Sequence, residues 1–575
     1  MKLNKFFIWA GIAAMSFSMA SCVGDLDLDP TDPSQITPGS FKENPKEYME
    51  RVMGDVYLQY ATYGANGKAS VEGFDGGMST FQRAVFILEE VPTDEASWIP
   101  NDADYGLFQY GIIPAANTVI MGTYSRLFIN IATCNQFIQT VNGGLFGITD
   151  PEVKHLAEEF VRQARILRAG AYFYAIDCFG NVPYADENVL MGEVAPQLST
   201  DFAEGRRLVY EKVVTDLEDI VAWYKTNDPN NKPAYGYVGL DVAEALLVKF
   251  YLNERVFTGD YRYEYESYNK CIEHAEAIIG RLGKGGFKGS GLANGYHQNF
   301  GFNNKDFAIG GENAVNEIIW DIPQEQTTLN LDGLGLMSYA NGTFMCNAWI
   351  GDATDKDPFK IGISEYNSGN GWKCMVARPE FVEVFDWDSN MEKSVDKRVK
   401  FWKTRKDGFA LENISLNQAD WGRNGYLAVK YTNWYINNNN EIDRNGSPAA
   451  TDQLGVDYAM IRLSEIYLSA AEALLMSGGS RNVATGYINF VRERAGLEPL
   501  DQASMGDLRA ERARELYTES TRRTDLIRWG LWLKGYSWSW KNQQRTGADY
   551  PDYFIVYPLP STVVSRNGYV QNPGY

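Results

Sequence analysis

The sequence predicts a mainly α protein: a tetratricopeptide-like helical-hairpin scaffold carrying a loop-rich, partly β insert. Three observations lead to that reading. Apolar residues recur at spacings of three and four in several separate stretches. Ala, Tyr and Leu fill the contact positions of paired stretches, as in degenerate tetratricopeptide units, although no strict repeat survives along the chain. Between about 283 and 455 the helical period disappears, and Gly, Asn and aromatic residues take over. The 575 residues, 45% hydrophobic and 22% charged, have the makeup of a folded globular chain. At roughly 100–200 residues per domain, two to four structural units are expected.

The composition also excludes function classes. A net charge of −21 would repel a phosphate backbone, so nucleic acid is not an expected partner. His155, His274 and His297 lie far apart, which leaves little material for a zinc hydrolase or a histidine-based nucleophile triad. Five cysteines, Cys134, Cys178, Cys271, Cys346 and Cys374, follow Cys22 at irregular spacing, and an odd number leaves at least one free thiol. Cys178 reads as a small buried hydrophobe.

In chain order, Lys2 and Lys5 precede an apolar run from Phe6 to Ala20 that is too short to span a bilayer, so residues 1–21 read as a secretory signal. Ala20-Ser21-Cys22 resembles a bacterial lipobox, with Cys22 as the lipidated first residue of the mature chain. Residues 22–40 form an acidic tether, in which Pro30 and Pro33 forbid a continuous helix. A helical scaffold is expected over 41–282. Within it, Phe160, Ala164, Leu167, Ala171, Tyr174 and Cys178 share one face of a helix over 160–178, and further helices are expected over 240–257 and 266–280. The loop-rich insert occupies 283–455, and its interleaved aromatic residues argue for an ordered, functional face. The C-terminal scaffold, 456–575, holds a helix bearing Leu463, Tyr467, Ala470 and Leu474, stopped by Gly478-Gly479. It also holds a helix expected over 509–528, with Glu511–Arg514 and Glu519–Arg522 or Arg523 as same-helix pairs. Arg162, Arg165 and Arg168 are expected to pair with carboxylates of a neighbouring helix.

Four segments together resemble the SusD/RagB family of outer-membrane nutrient-uptake lipoproteins: Cys22 with LDLDP behind it, RQARILRAGAYFYAIDCFGNVPY (162–184), IRLSEIYLSAAEALLMSGG with GYINFVRERAGL (461–497), and RAERARELYTESTRRTDLIRWG (509–530). The closing VYPLPSTVVSRNGYVQNPGY is similar to the family's terminus. The resemblance implies a noncatalytic, lipid-anchored protein of the outer membrane, facing the cell exterior, that captures oligosaccharide and delivers it to a SusC-type TonB-dependent transporter. The acidic residues behind Cys22 resemble the export signal that sends lipoproteins of Bacteroidetes to the outer leaflet.

Within this resemblance, FQRAVFILEEVPTDEASWIPND (81–102) is similar to the ligand-proximal stretch of starch-binding members, with Arg83 and Trp98 matching an arginine and an aromatic there. Pro100 stands where those relatives carry a second Trp and Ala103 where they carry an Asn, so Asn101 and Asp102 enter the candidate set in their place. Trp372, in NSGNGWKCMVARPEFVEVF, resembles another aromatic position, and Tyr339, Trp349 and Tyr366 are the choices for a third. Aromatic faces stack on sugar CH surfaces and planar polar groups bind hydroxyls, so this set is expected to stand exposed and grip a glycan, possibly a starch-like α-glucan.

Two rival readings stay open. A surface glycoside hydrolase would draw on Asp94, Glu95, Asp102, Asp352 and Asp355, and needs two carboxyls about 5–9.5 Å apart. A structural adaptor would gate the transporter without a ligand of its own. No cofactor is expected; Asp352, Asp355 and Asp357 offer oxygen ligands for calcium but lack EF-hand spacing. Trp529, Trp532, Trp538 and Trp540 are assigned to packing.

Overall fold

The computed structural model describes residues 42–62, 80–98, 104–144, 146–190, 192–260, 264–324, 430–449 and 454–575. Between 328 and 428 it describes shorter pieces: 328–329, 336–337, 344–346, 348–349, 367–368, 372, 374–386, 394–398, 403–404 and 426–428. Cys22 and the 1–40 leader and tether lie outside these residues.

Several of the long helices begin on a side chain that satisfies their first free N–H groups. Asn44 caps α1 (Pro45–Ala61), Thr80 caps α2 (Phe81–Glu89), and α3 (Tyr105–Phe108) is a single turn. Asn117 accepts from the Val119 and Ile120 N–H groups to start α4 (Thr118–Asn142). Asp150, followed by proline, starts α5 (Pro151–Phe179), and Asp201 starts α6 (Phe202–Asn227). The scaffold continues through α7 (Leu240–Thr258) and α8 (Glu264–Leu282). Helices α4 and α5, α6 and α7, and α7 and α8 pack side by side in succession. The helices expected over 160–178, 240–257 and 266–280 are therefore present as α5, α7 and α8.

The next helix against α8 is not the next in sequence. It is α10 (Leu463–Ser477), which packs on α8 and then on α11 (Arg481–Arg494); the short α9 (Pro379–Glu383) lies in between in chain order. Helix α10 stops where expected: Gly478 adopts φ 71°, a left-handed conformation that glycine reaches without a Cβ clash, and its N–H donates to the Leu474 carbonyl. The scaffold thus opens after α8, lets the insert out, and closes on itself at α10.

Strand β2 (Ile318–Ile322) pairs antiparallel with β10 (Tyr458–Arg462), so the insert leaves and re-enters through one ribbon. A four-stranded sheet in the order β1-β5-β7-β6 joins β1 (Ala96–Trp98), from the N-terminal scaffold, to β5 (Met375–Ala377), β7 (Tyr426–Leu427) and β6 (Lys403–Thr404) of the insert. Thr328–Leu329 (β3) pairs with Leu336–Met337 (β4). The asparagine run 437–440 is the turn between β8 (Tyr435–Ile436) and β9 (Ile442–Asp443), with Asn440 at φ 62° and its side chain accepting from the His297 N–H at 2.7 Å. Close packing also fixes Gly170 of α5: a Cβ there would lie 2.6 Å from Cη2 of Trp320.

The expected helix over 509–528 is two helices, α12 (Met505–Leu516) and α13 (Arg522–Arg528). Buried Thr518 and Ser520 take φ 60° and 58° in the break, conformations unfavourable for these residues that persist only where the surroundings over-determine them. Glu511 pairs with Arg514 at 2.6 Å as expected, but Glu519 turns away from its own segment and pairs with Arg462 and Lys430, each at 2.6 Å. Around it lies a buried network in which Arg398 meets Asp396 (2.8 Å), Glu511 (2.7 Å) and Glu515 (3.1 Å). Arg462 meets Glu317 and Glu515, each at 2.9 Å, and Arg494 meets both Glu317 (2.6 Å) and Glu515. These pairs tie the insert (Glu317, Asp396, Arg398, Lys430) to the C-terminal scaffold. The arginines of α5 behave largely as expected: Arg165 and Arg168 pair with Asp216 of α6, whereas Arg162 pairs with Glu159 on its own helix and lies 3.3 Å from the centre of the Trp223 ring.

Candidate functional site

The two stretches singled out in the sequence, 81–102 and 367–385, are brought together by the β1–β5 ladder, in which Trp98 faces Met375 and Ala96 faces Ala377. Helix α2 lies alongside and supplies Arg83. Its guanidinium sits over two rings, 4.6 Å from the centre of Phe344 and 5.2 Å from that of Trp372. Phe344 is the hub: it lies 5.3 Å from Phe86, 6.4 Å from Trp372 and 6.5 Å from Trp98 in a near-parallel stack. Tyr105 of α3 covers the far side of Trp98 at 5.7 Å. Arg83, Trp98 and Trp372 thus belong to one aromatic and guanidinium cluster.

Their exposure corrects the expectation of a bare aromatic arc. Trp98 is 0% exposed, with the rings of Phe344 and Tyr105 packed against it. Its indole N–H is buried and has no hydrogen-bond partner among the described residues. Arg83 is also buried, and so is Trp349, which lies in the core with its backbone N–H donating to the Cys346 carbonyl. Trp372 is half-buried and is the ring of the cluster that reaches the surface. Asn101, Asp102, Tyr339 and Tyr366 lie outside the described residues. The residue that sequence reasoning missed is Phe344. Its only signal is its place between Tyr339 and Trp349, two of the positions weighed for a third aromatic.

The carboxylates weighed for catalysis have other work. Asp94 receives two hydrogen bonds from Arg522, at 2.7 and 2.6 Å, and a third from the Tyr536 hydroxyl at 2.7 Å. Burial alone would raise its pKa, but Arg522 overcomes this and holds it below the usual value. Glu95 and Glu90 are buried together; burial pushes Glu95 up to about 7, and burial, then the charge of Glu95, raises Glu90 well above its ordinary value. Glu95 accepts from the Thr518 N–H (3.3 Å) and Glu90 from the Thr521 N–H (3.1 Å), so this acid pair anchors the strained break between α12 and α13. Asp94 and Glu95 are accordingly structural and closed to a substrate. Asp352, Asp355 and Asp357 lie outside the described residues.

Glu89, Asp177 and Cys178 converge closely enough to suggest a metal, but protein groups occupy the space. Arg523 donates to Asp177 (2.9 Å) and Glu89 (3.3 Å), and the Thr524 hydroxyl donates to the same pair. The Cys178 thiol donates to Glu89 at 3.0 Å, and burial raises its pKa well above the normal thiol value, so it is an inert buried group. All five described cysteines are buried, and none forms a disulfide with another described residue. Trp532 and Trp538 are packed in the core, as expected. No helix among the described residues is long and apolar enough to cross a membrane.

Comparison with known proteins places this architecture. The model of the SusD family matches residues 316–575. The starch-binding protein SusD of Bacteroides thetaiotaomicron is 27% identical over an alignment covering 100% of this chain and 99% of that protein. SusD-like protein P25 of Formosa agariphila is 23% identical, with 93% of this chain and 91% of that protein covered. Among solved structures, surface glycan-binding protein A from Bacteroides thetaiotaomicron in complex with laminarihexaose superposes with a TM-score of 0.62 at 20% identity, covering 92% of this chain and 99% of the other. A SusD superfamily protein from Parabacteroides distasonis gives 0.62 at 18% identity over 92% and 100% of the two chains. The family model over residues 316–575, the full-length relative and the mainly helical fold of the solved neighbours agree in making this chain similar to proteins of the SusD family.

Proposed function

We propose that the protein is a noncatalytic glycan-binding lipoprotein, tethered through Cys22 at the outer cell surface, that passes captured oligosaccharide to a SusC-type transporter. The observation that supports the reading is the Arg83–Phe344–Trp372 cluster. Trp372 is the accessible ring on which a sugar face would stack, Arg83 fixes its plane from behind, and buried Trp98 supports the layer beneath. This revises the role of Trp98 from contact to support. A glucan is the favoured ligand, since one relative is named for starch and one structural neighbour holds laminarihexaose.

The test is affinity gel electrophoresis of the purified protein against amylopectin and laminarin. Retention by either polysaccharide that is abolished in Trp372→Ala, with the fold intact by circular dichroism, supports the reading. Equal retention of wild type and variant removes Trp372 from the site. Sugar release from any tested oligosaccharide would restore the hydrolase alternative. Co-purification with a SusC-type transporter in detergent tests the partner, and labelling of Cys22 with a fatty acid analogue tests the anchor.

A further inference from the structure

The turn at 540–543 reverses the usual burial preference. Lys541 is 0% exposed: its Nζ donates to the Tyr536 carbonyl at 2.6 Å and lies 4.4 Å from the centre of the Trp538 ring and 5.3 Å from that of Tyr550. Trp540 beside it, assigned to packing from the sequence, is only half-buried. Residue type favours the opposite, since lysine is rarely buried and an indole gains by leaving water. The backbone keeps this arrangement under strain: Trp540, Asn542 and Gln543 take φ 68°, 48° and 64°, left-handed conformations that are costly for residues with a Cβ. Such strain concentrates at functional sites.

The Trp540 ring meets Tyr110 edge-on, with centres 5.8 Å apart and planes at 85°. Tyr110 is half-buried as well, and neither ring joins the hydrophobic core that takes in Trp532, Trp538 and Tyr550. One buried guanidinium holds the corner together. Arg378 donates to the carbonyls of Ala96 (2.9 Å), Gln109 (3.3 Å) and Ser539, so the residues just before Tyr110 and Trp540 are tied to β1. The Ser97 hydroxyl adds a hydrogen bond to the Gln109 side chain, and Glu380 accepts from the Ser539 N–H and hydroxyl. Arg378 follows Ala377 at one end of the β1–β5 ladder, and Trp98 faces Met375 at the other, so this corner and the Arg83–Trp372 cluster stand on one sheet. Rings held this rigidly suit a binding site.

The surroundings favour a sugar over a protein as the occupant. A specific protein interface buries about 800 Å² per partner around an apolar centre, and no large apolar side chain from 531 to 550 is widely exposed. Gln543 and Gln544 carry exposed amides on the same turn. Two half-buried rings rimmed by amides match the CH face and the hydroxyls of a pyranose.

We propose that Trp540 and Tyr110 form a second sugar subsite, in which a pyranose of a neutral glycan stacks on the indole against the perpendicular tyrosine and its hydroxyls bond to Gln543 and Gln544. The subsite rests on the glycan reading given above and extends it, because two platforms on one sheet favour a polymer over a single sugar.

Affinity gel electrophoresis of the whole protein against amylopectin and laminarin tests it. Trp540→Gly removes the ring, and glycine accepts the left-handed backbone without a Cβ clash. The variant is expected to keep the wild-type circular dichroism spectrum and to bind the retaining polysaccharide about three- to tenfold more weakly, the size of one aromatic stacking contact. Trp540→Phe, which keeps a flat ring, is expected to recover part of that loss, and Tyr110→Ala to show a loss of its own; should Trp540→Gly unfold, Tyr110→Ala decides by the same readout. If wild type is retained and Trp372→Ala is not, while Trp540→Gly is retained like wild type, the subsite is overturned and the glycan reading stands. Equal weakening in Trp540→Phe and Trp540→Gly also overturns it, as does unchanged retention of Trp540→Gly with loss of transporter co-purification, which assigns the corner to protein contact. Retention of wild type by neither polysaccharide overturns the glycan reading and the subsite with it.

Discussion

Replacing Glu515 by Gln perturbs the junction between insert and scaffold without changing its volume. Glu515 is fully buried and receives hydrogen bonds from Arg462 (2.9 Å), Arg398 (3.1 Å) and Arg494. Burial alone would raise its pKa, but Arg494, Arg462 and Arg398 outweigh burial and hold it down to about 2. Against an ordinary value of 4.5, at about 1.4 kcal/mol per unit, the folded state favours the ionised form by about 3 kcal/mol. Breaking a buried ion pair from one side costs about 3–5 kcal/mol, which agrees. In the variant one end of the amide is an NH2 group facing guanidinium donors. Urea denaturation at pH 7 is expected to show Glu515→Gln less stable by about 3 kcal/mol. Because the folded pKa is depressed, this contribution is complete above the unfolded value of 4.5 and disappears as pH falls toward 2. The gap between wild type and variant is therefore expected to narrow by about 1.4 kcal/mol for each pH unit below that value. A loss under about 0.5 kcal/mol, or a gap that does not change with acid, would refute the assignment of Glu515 as the centre of the network.

Glu95→Gln should show the opposite pH dependence. With its folded pKa raised to about 7, wild-type stability is fully present below 4.5 and falls as pH rises toward 7, so denaturation midpoints from pH 5 to 8 should decline less steeply in the variant; parallel curves would count against the acid pair. Gly170→Ala should destabilise by about 1–3 kcal/mol despite alanine's better helix propensity, because its Cβ would sit 2.6 Å from Trp320, and a thermally more stable variant would show that the contact yields freely. Trp98→Ala should lower the melting temperature by removing a fully buried ring worth about 3–5 kcal/mol, and a thermal melt matching wild type would return Trp98 to the exposed role first expected of it.

Much of the scaffold was legible because helix periodicity and caps are local. The apolar face from Phe160 to Cys178 and the Gly478 stop on α10 are each fixed within a few turns of chain, and both were read correctly. The break at 517–521 was not legible. Its residues carry no Pro or Gly, and the conformations of Thr518 and Ser520 are imposed by Glu90 and Glu95, more than 400 residues away in sequence. The same applies to Glu519, whose nearest sequence partners lost to Arg462 and Lys430. At the candidate site, the sequence marked Arg83, Trp98 and Trp372 as related through a resemblance, yet residue type alone cannot say which face of a ring meets solvent. Phe344 escaped notice because nothing local distinguishes a hub from any other phenylalanine.

The amino-acid sequence by itself determined the helical scaffold and the resemblance to a family. Those features rest on spacing, capping and motif, which act over a few residues. Only the tertiary structure decided that Trp98 is buried and Trp372 half-exposed, and that Asp94 and Glu95 brace a strained turn. Exposure and electrostatic pairing depend on which distant segments come into contact, and the β1–β5 and β2–β10 ladders join residues more than 130 positions apart.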